Sequence, residues 1–131
     1  MNVLLDTHVL VWLIEAPGRF DRAERRILER AQHSTYISVV SLWEIRIKWE
    51  SIDRRGRRKG SVDPRAALAF VRSSEIMIAR LDEDIAVASL EAATANRDPF
   101  DELLLVHAQE LRAKLLTRDG TLLDHPLALR P

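Results

Sequence analysis

Short apolar runs alternate along this chain with longer amphipathic segments, and a polar break marks nearly every junction. Asn2-Val3-Leu4-Leu5 is short and almost wholly apolar, which predicts a buried strand. Thr7 to Glu15 predicts a helix that ends at Pro17-Gly18. Asp21 predicts the cap of a second helix, in which Ala23, Ile27 and Ala31 recur on one face. Thr35 to Val40 is β-branched and aromatic, hence a strand. Ser41 to Glu50 predicts a helix opened by a capping box, Ser41-Leu42-Trp43-Glu44. Asp63-Pro64 opens another helix, through about Ser73. Ile76 to Ala79 predicts a third strand, and Asp82 caps an alanine-rich helix that reaches about Ala95. Asp98-Pro99 opens the next, with Phe100, Leu103, Leu104, His107, Ala108 and Leu111 on one stripe. Lys114 to Thr117 predicts a fourth strand, and Asp119-Gly120 a turn; the tail beyond has no clear period.

Strands separated by helices imply parallel pairing through crossovers. The expected fold is therefore α/β: a central, mostly parallel sheet of four or five strands flanked by helices in a three-layer sandwich. At 131 residues and 15.0 kDa, the span 1–131 reads as a single domain. A chain of this length buries about two thirds of the surface its unfolded form exposes. With 47% hydrophobic and 31% charged residues, it is too apolar for disorder and too charged for a membrane protein. The longest apolar run, Val9 to Ile14, is far short of the roughly 20 residues a membrane span needs. No basic residue precedes Asp6, so no secretory signal is expected, and the reading is cytoplasmic with no membrane partner. The absence of cysteine excludes disulfides, a thiol nucleophile and Cys-ligated metals.

Acidic and basic residues balance, so bulk charge does not announce a polyanion binder. Their distribution is uneven. Between Arg46 and Arg72 nine basic residues face three acidic ones, a local charge of +6 on a body that is then −6. Most of the excess lies in Arg54-Arg55-Gly56-Arg57-Arg58-Lys59-Gly60, which has no apolar residue and predicts an exposed loop. Arg54, Arg55, Arg57, Arg58 and Lys59 are candidate phosphate contacts, the ordinary alternative being a solvated surface loop.

In a parallel α/β fold the site lies beyond the carboxyl ends of the strands. Asp6 follows the first strand, Glu44 opens the helix after the second, and Asp119 follows the fourth. The helix that begins at Asp98-Pro99 runs almost directly into the fourth strand, so its start, with Asp98 and Asp101, belongs at the same edge. Each acid has an ordinary use. Asp6 and Asp98 can cap helices, Glu44 can complete a capping box, Asp101 can favour a helix start, and Asp119 suits a turn. Their convergence asks for more, because carboxylates brought together repel and raise each other's pKa. A cation removes that penalty, and an all-oxygen set suits Mg²⁺ or Mn²⁺ over zinc. His8, His33, His107 and His125 form no metal-binding spacing; His107 reads as core, and His8 lies near the edge. Trp12, Trp43 and Trp49 read as core or interface residues. Val9 to Ile14, apolar around the whole helix, is expected to be sandwiched in the core or partly covered by another subunit.

Val3-Leu4-Leu5-Asp6-Thr7-His8, Ser41-Leu42-Trp43-Glu44-Ile45, Asp98-Pro99-Phe100-Asp101 and Leu116-Thr117-Arg118-Asp119 resemble the motifs of the PIN-domain ribonucleases. The branch they look most like is the VapC-type toxins of toxin–antitoxin modules. The motifs stand in the family's order from residue 3 to about 120. The resemblance implies a PIN-like sandwich and a catalytic, metal-holding quartet of Asp6, Glu44, Asp101 and Asp119. It gives Asp98, Thr117 and Thr7 supporting places. It further implies a Mg²⁺-dependent endoribonuclease, with Mn²⁺ as a substitute, that cuts structured RNA such as transfer or ribosomal RNA. Such proteins form homodimers and are silenced by a cognate antitoxin. Two positions depart from the pattern: Glu102 stands where many relatives carry Arg, and Asn96 where His is common. The Arg-rich loop is also longer than usual for the branch.

Two other readings remain at this level. A dehalogenase-like phosphatase also has an Asp after its first strand, but it needs a second Asp two residues on, where His8 stands. A catalytically silent RNA- or partner-binding α/β module would keep the acids only as caps.

Overall fold

The computed structural model of the chain describes residues 1–30 and 34–129, so Ala31 and His33 lie outside the described residues. Five strands form one sheet: β1 (Asn2–Leu5), β2 (Ser34–Ser38), β3 (Met77–Ala79), β4 (Ala113–Leu116) and β5 (Ala128–Leu129). Their order is β3-β2-β1-β4-β5 and every pair is parallel. The crossovers are α1 (Thr7–Glu15), a 3₁₀ turn at Pro17–Arg19, α2 (Arg22–Glu29), α3 (Val39–Glu50), α4 (Pro64–Arg72), α5 (Glu83–Val87) and α6 (Pro99–Glu110). None of these helices is long and apolar enough to cross a membrane.

Strand alternation divides the core. Val3 and Leu5 of β1 face one side with Val9 and Leu10 of α1, Ile45 of α3, Ala67 and Val71 of α4, and Leu116. Leu4 faces the other with Leu104, Leu105 and Ala108 of α6 and Ala113 and Leu115 of β4. A fully buried leucine contributes about 1.5–3 kcal/mol, so the near-continuous apolar strands are what hold both helix layers to the sheet. The chain leaves β1 in one direction toward β2 and β3, and β4 to β5 lie on the other side. The crevice between the ends of β1 and β4 is thus a topological switch point.

The N-terminal elements match their sequence signals closely. Asp21 and Glu24 form a reciprocal capping box on α2, and Asp63 and Asp98 cap α4 and α6, each ahead of a proline. Four expectations need correction. First, α3 begins at Val39, capped by Ser38 Oγ on the Val40 N–H at 3.0 Å; Ser41 and Glu44 sit inside the helix and form no capping box. The two valines have strand propensity, but the cap and packing draw them into the helix. Second, α5 stops at Val87 instead of running to Ala95. Beyond it, the Gln109 amide exchanges bonds with Ser89 O (3.0 Å) and Glu91 N (2.8 Å), and His125 Nε2 meets Ala92 O at 2.7 Å. These side chains satisfy a backbone that would otherwise have coiled. Third, Ala23 of α2 is exposed, and Glu24 points inward in its place. Fourth, Trp43, expected in the core or at an interface, is 50% exposed and tilted against Phe100 at 5.5 Å, which rules out the core. Val9 and Leu10 are buried, whereas Val11 to Ile14 are half-buried, so α1 keeps part of its apolar surface open.

His107 is fully buried in α6. Its Nδ1 lies 2.9 Å from Ser38 Oγ, and among the described residues its Nε2 makes no well-formed hydrogen bond. Burial pushes the imidazole pKa below its usual value, against the pull of the Arg80 backbone and the Asp82 charge. A base with a lowered folded pKa stabilises the fold above the unfolded value of about 6.5 and loses that contribution as pH falls below it. Thermal melts from pH 7.5 to 5 should therefore show a shallower acid loss in His107→Leu than in the parent. Parallel pH profiles for the two would refute this account of His107.

Candidate active site

Asp6 stands at the switch point, 4% exposed. Its backbone N–H extends the β1–β4 ladder onto Leu116 O at 2.9 Å. One carboxylate oxygen accepts the Thr7 N–H at 2.7 Å, making Asp6 the cap of α1; the other accepts the Thr117 hydroxyl at 2.6 Å. Thr117 lies one residue past β4, not inside it, and its Oγ1 also accepts the Asp119 N–H at 3.0 Å. A single hydroxyl thus ties together two of the expected acids.

Thr7, the first residue of α1, reaches α3. Its hydroxyl donates to Glu44 Oε1 at 2.8 Å and lies 2.8 Å from Ser41 Oγ. Because α3 starts at Val39, Glu44 is a full turn into the helix, and its other oxygen meets Lys48 Nζ at 3.1 Å. Asp101, in the first turn of α6, accepts the Asn96 amide on Oδ2 at 3.0 Å. The same amide donates to Thr121 Oγ1 at 2.7 Å, and Thr121 closes on Asp119 through its N–H (2.9 Å) and hydroxyl (2.8 Å). Asp98 spends its side chain on the Phe100 N–H at 2.9 Å. Asp6, Asp98 and Asp119 therefore do have their ordinary capping or turn bonds, Glu44 and Asp101 are held by Thr7, Lys48 and Asn96 instead, and the acids gather at one edge as well.

The charges confirm that they sense one another. Burial raises the Asp6 carboxyl above the usual range, and the Glu44 charge adds to this; Thr117, His8 and the Thr7 N–H oppose it. Burial also pushes Asp101 up to about 6, assisted by Asp98, Asp6 and Asp119 against the Asn96 bond. The donors are all oxygens, which fits a hard divalent ion. The side chains as they stand are not a finished cage: among the described residues no three His, Asp or Glu side chains are arranged to hold an ion. Glu44 is turned to Thr7 and Lys48, and Asp119 to Thr121.

Several contributors escaped the sequence reading. Glu24, 3% exposed, holds the Arg118 guanidinium with both oxygens, one of them at 2.7 Å. Arg118 also bonds Arg19 O at 3.1 Å and stacks over Trp12 at 4.6 Å. Its backbone N–H donates to His8 Nε2 at 3.2 Å, which leaves His8 Nδ1 facing Asp6 at 3.5 Å. This clamp fixes the Thr117–Asp119 segment to α2. Arg118 lies inside a motif, but only the fold reveals its partner. Thr121 carries no distinctive spacing, and Asn96 and Ser41, which stand out in the sequence as a departure from the family pattern and as a helix cap, gain their site partners only in the fold.

The basic loop folds back on α3 rather than waving free. Asp53 Oδ1 accepts the N–H groups of Arg55 (2.8 Å) and Arg57 (3.0 Å), and Ile52 bridges Arg58. The Arg58 guanidinium bonds Trp49 O at 3.0 Å and stacks on the Trp49 ring at 4.2 Å. Arg54, Arg55 and Arg57 point to solvent, while Lys59 lines a small cavity with Thr7 and His8.

Two measurements check this description. An acid whose folded pKa is raised stabilises the fold below its unfolded pKa and loses that contribution as pH climbs through the folded value. In metal-free buffer Asp101→Asn should therefore melt above the parent at pH 7.5, and the gap should close by pH 4. A gap independent of pH would place the effect elsewhere. Arg118→Ala leaves Glu24 with only the Asp21 N–H and should lower unfolding free energy by about 1.5 kcal/mol in denaturant titrations. A loss under about 0.5 kcal/mol would rank the pair with ordinary surface bridges.

A family model of the PIN domain matches residues 3–126. Two solved structures share the fold. One is VapBC2 from Rickettsia felis bound to a DNA fragment from its promoter: 17% identity, TM-score 0.68, covering 98% of this chain and 96% of that one. The other is a toxin–antitoxin complex from Klebsiella pneumoniae: 21% identity, TM-score 0.62, covering 98% and 97%. Among curated proteins the chain has no significant match. With the match running through all of the described strands except β5, and with Asp6, Glu44, Asp101 and Asp119 at the carboxyl edge, the chain belongs to the PIN domain family.

Proposed function

We propose that this protein is the nuclease toxin of a toxin–antitoxin pair, a Mg²⁺-dependent endoribonuclease that acts on structured RNA such as transfer or ribosomal RNA. The observation that carries this reading is the buried Asp6 at the switch point, within charge range of Glu44 and Asp101. Neighbours of the same fold are a toxin–antitoxin complex and a VapBC assembly, which supports an antitoxin partner here. A homodimer and a cytoplasmic setting belong to the same proposal.

Asp6, Asp101, Asp119 and Glu44 are the residues that would hold the ion. Bound there, a divalent ion supplies a more acidic water and offsets charge that develops on the phosphate oxygens. The chain's own residues do the rest. Thr117 and the Thr7 N–H fix the rotamer of Asp6, and Asn96 fixes Asp101. A carboxylate oxygen left free by these bonds orients the attacking water and accepts its proton. In-line attack by water leaves a 3′-hydroxyl and a 5′-phosphate, with no role for the 2′-hydroxyl as nucleophile.

The unfinished cage favours one alternative, a binding module that keeps the acids as caps. Cleavage assays separate the two. With Mg²⁺ or Mn²⁺, purified protein should cut RNA, and sequencing of fragment ends should find 5′-phosphates. Asp6→Asn and Asp101→Asn should each reduce the rate by more than about 100-fold while keeping the circular dichroism of the parent. Manganese titration by calorimetry should weaken in both variants. Full cleavage by both would remove the acidic edge from the chemistry, and parent protein inert on every RNA would favour the binding module.

A further inference from the structure

The basic loop builds something that the acids do not explain. Its descending limb is bent by Asp53 and by Gly56, whose φ of 76° is left-handed. Its returning limb is pinned to α3: Lys59 N–H bonds Ser51 O at 2.9 Å and Gly60 N–H bonds Lys48 O at 2.9 Å. A side chain at residue 60 would meet Trp49 N at 2.8 Å and the Lys48 carbonyl carbon at 2.9 Å, so only glycine lets the limb lie this close. Ser61 Oγ then donates to Glu15 Oε2 of α1 at 2.9 Å, and Val62 is buried. Between this limb, α1 and α3 lies a cavity of about 180 Å³, bordered by Lys48, Lys59, Thr7 and His8 over a floor that includes Val11 and Ile45.

Three features define what fits. The cavity is smaller than the roughly 300–1,000 Å³ that takes a whole drug-sized ligand, so it suits one small group of a larger chain. Two lysines border it; the Lys48 ammonium is paired with Glu44, whereas Lys59 has no ion pair among the described residues. It begins at Thr7 and His8, directly after Asp6, so whatever occupies it lies next to the acidic edge. We infer that Lys59, with Lys48, forms a subsite for a backbone phosphate of single-stranded RNA adjacent to the one cut. This rests on the nuclease reading and extends it by naming where the flanking strand is held. Lysine suits the task as a compact point charge on a phosphate. Arg58, stacked on Trp49, acts as a support of the limb and not as an RNA contact.

The test uses the full chain and a labelled single-stranded RNA. In an Asp6→Asn background, which keeps the probe intact, Lys59→Ala should weaken binding about five- to tenfold near 100 mM salt. It should also reduce the salt slope by about 0.7, the value for one lost phosphate contact on a single strand. In the active enzyme Lys59→Ala should raise KM several-fold and leave kcat within about twofold. Lys59→Arg should restore most of the slope. Gly60→Ala keeps the charge and displaces the limb, and it should reproduce the KM defect. If Gly60→Ala fails to fold, the exposed Lys59 series decides alone. An unchanged slope and KM in Lys59→Ala overturn the subsite even if the parent cuts RNA. Parent protein that cuts nothing yet binds RNA through Lys59 overturns the nuclease reading and keeps the subsite. Loss of antitoxin binding in Lys59→Ala, with RNA binding intact, overturns the subsite in favour of a protein contact.

Discussion

Asp6 must stay charged-competent while almost wholly out of water, and the carboxyl edge is arranged around that requirement. An isolated buried carboxylate is costly, and proteins either neutralise it or surround it with donors. Here the donors come from the two strands that meet at the switch point: the N–H of the helix that follows β1 and the hydroxyl that follows β4. Because both bonds depend on the β1–β4 register, the sheet and the site are one construction. A slip of one residue would point Thr117 away and turn Leu5 out of the core.

The same economy explains why the acids looked ordinary one by one. Caps and turns place carboxylates at helix starts, and a parallel sheet gathers those starts at one edge. Asp6, Asp98 and Asp119 are caps and turn residues in fact. What distinguishes this edge from a default cluster is burial combined with repulsion: burial pushes Asp101 up to about 6, and the charges of Asp98, Asp6 and Asp119 add to it.

Much of this architecture was legible because local signals and packing agreed. α1, α4 and α6 carry both an apolar pattern and a cap, and they begin where the caps stand. The reading failed where a tertiary partner outbid local preference. At the β2–α3 junction two valines looked like strand, yet Ser38 caps the helix ahead of them. After Val87 an alanine-rich stretch looked helical, yet Gln109 and His125 hold its backbone in another course. Within the site, the carboxylates announced themselves by type and order. Thr121 and the Glu24–Arg118 pair did not, since each matters only through a partner distant in sequence.

Charge on the far side of Asp6 follows a different logic from charge within the site. Arg118 is neutralised by Glu24 and serves to immobilise the segment that bears Thr117 and Asp119. Lys48 is matched to one oxygen of Glu44 while the other oxygen accepts the Thr7 hydroxyl, so this carboxylate braces α3 against the start of α1, one residue from Asp6.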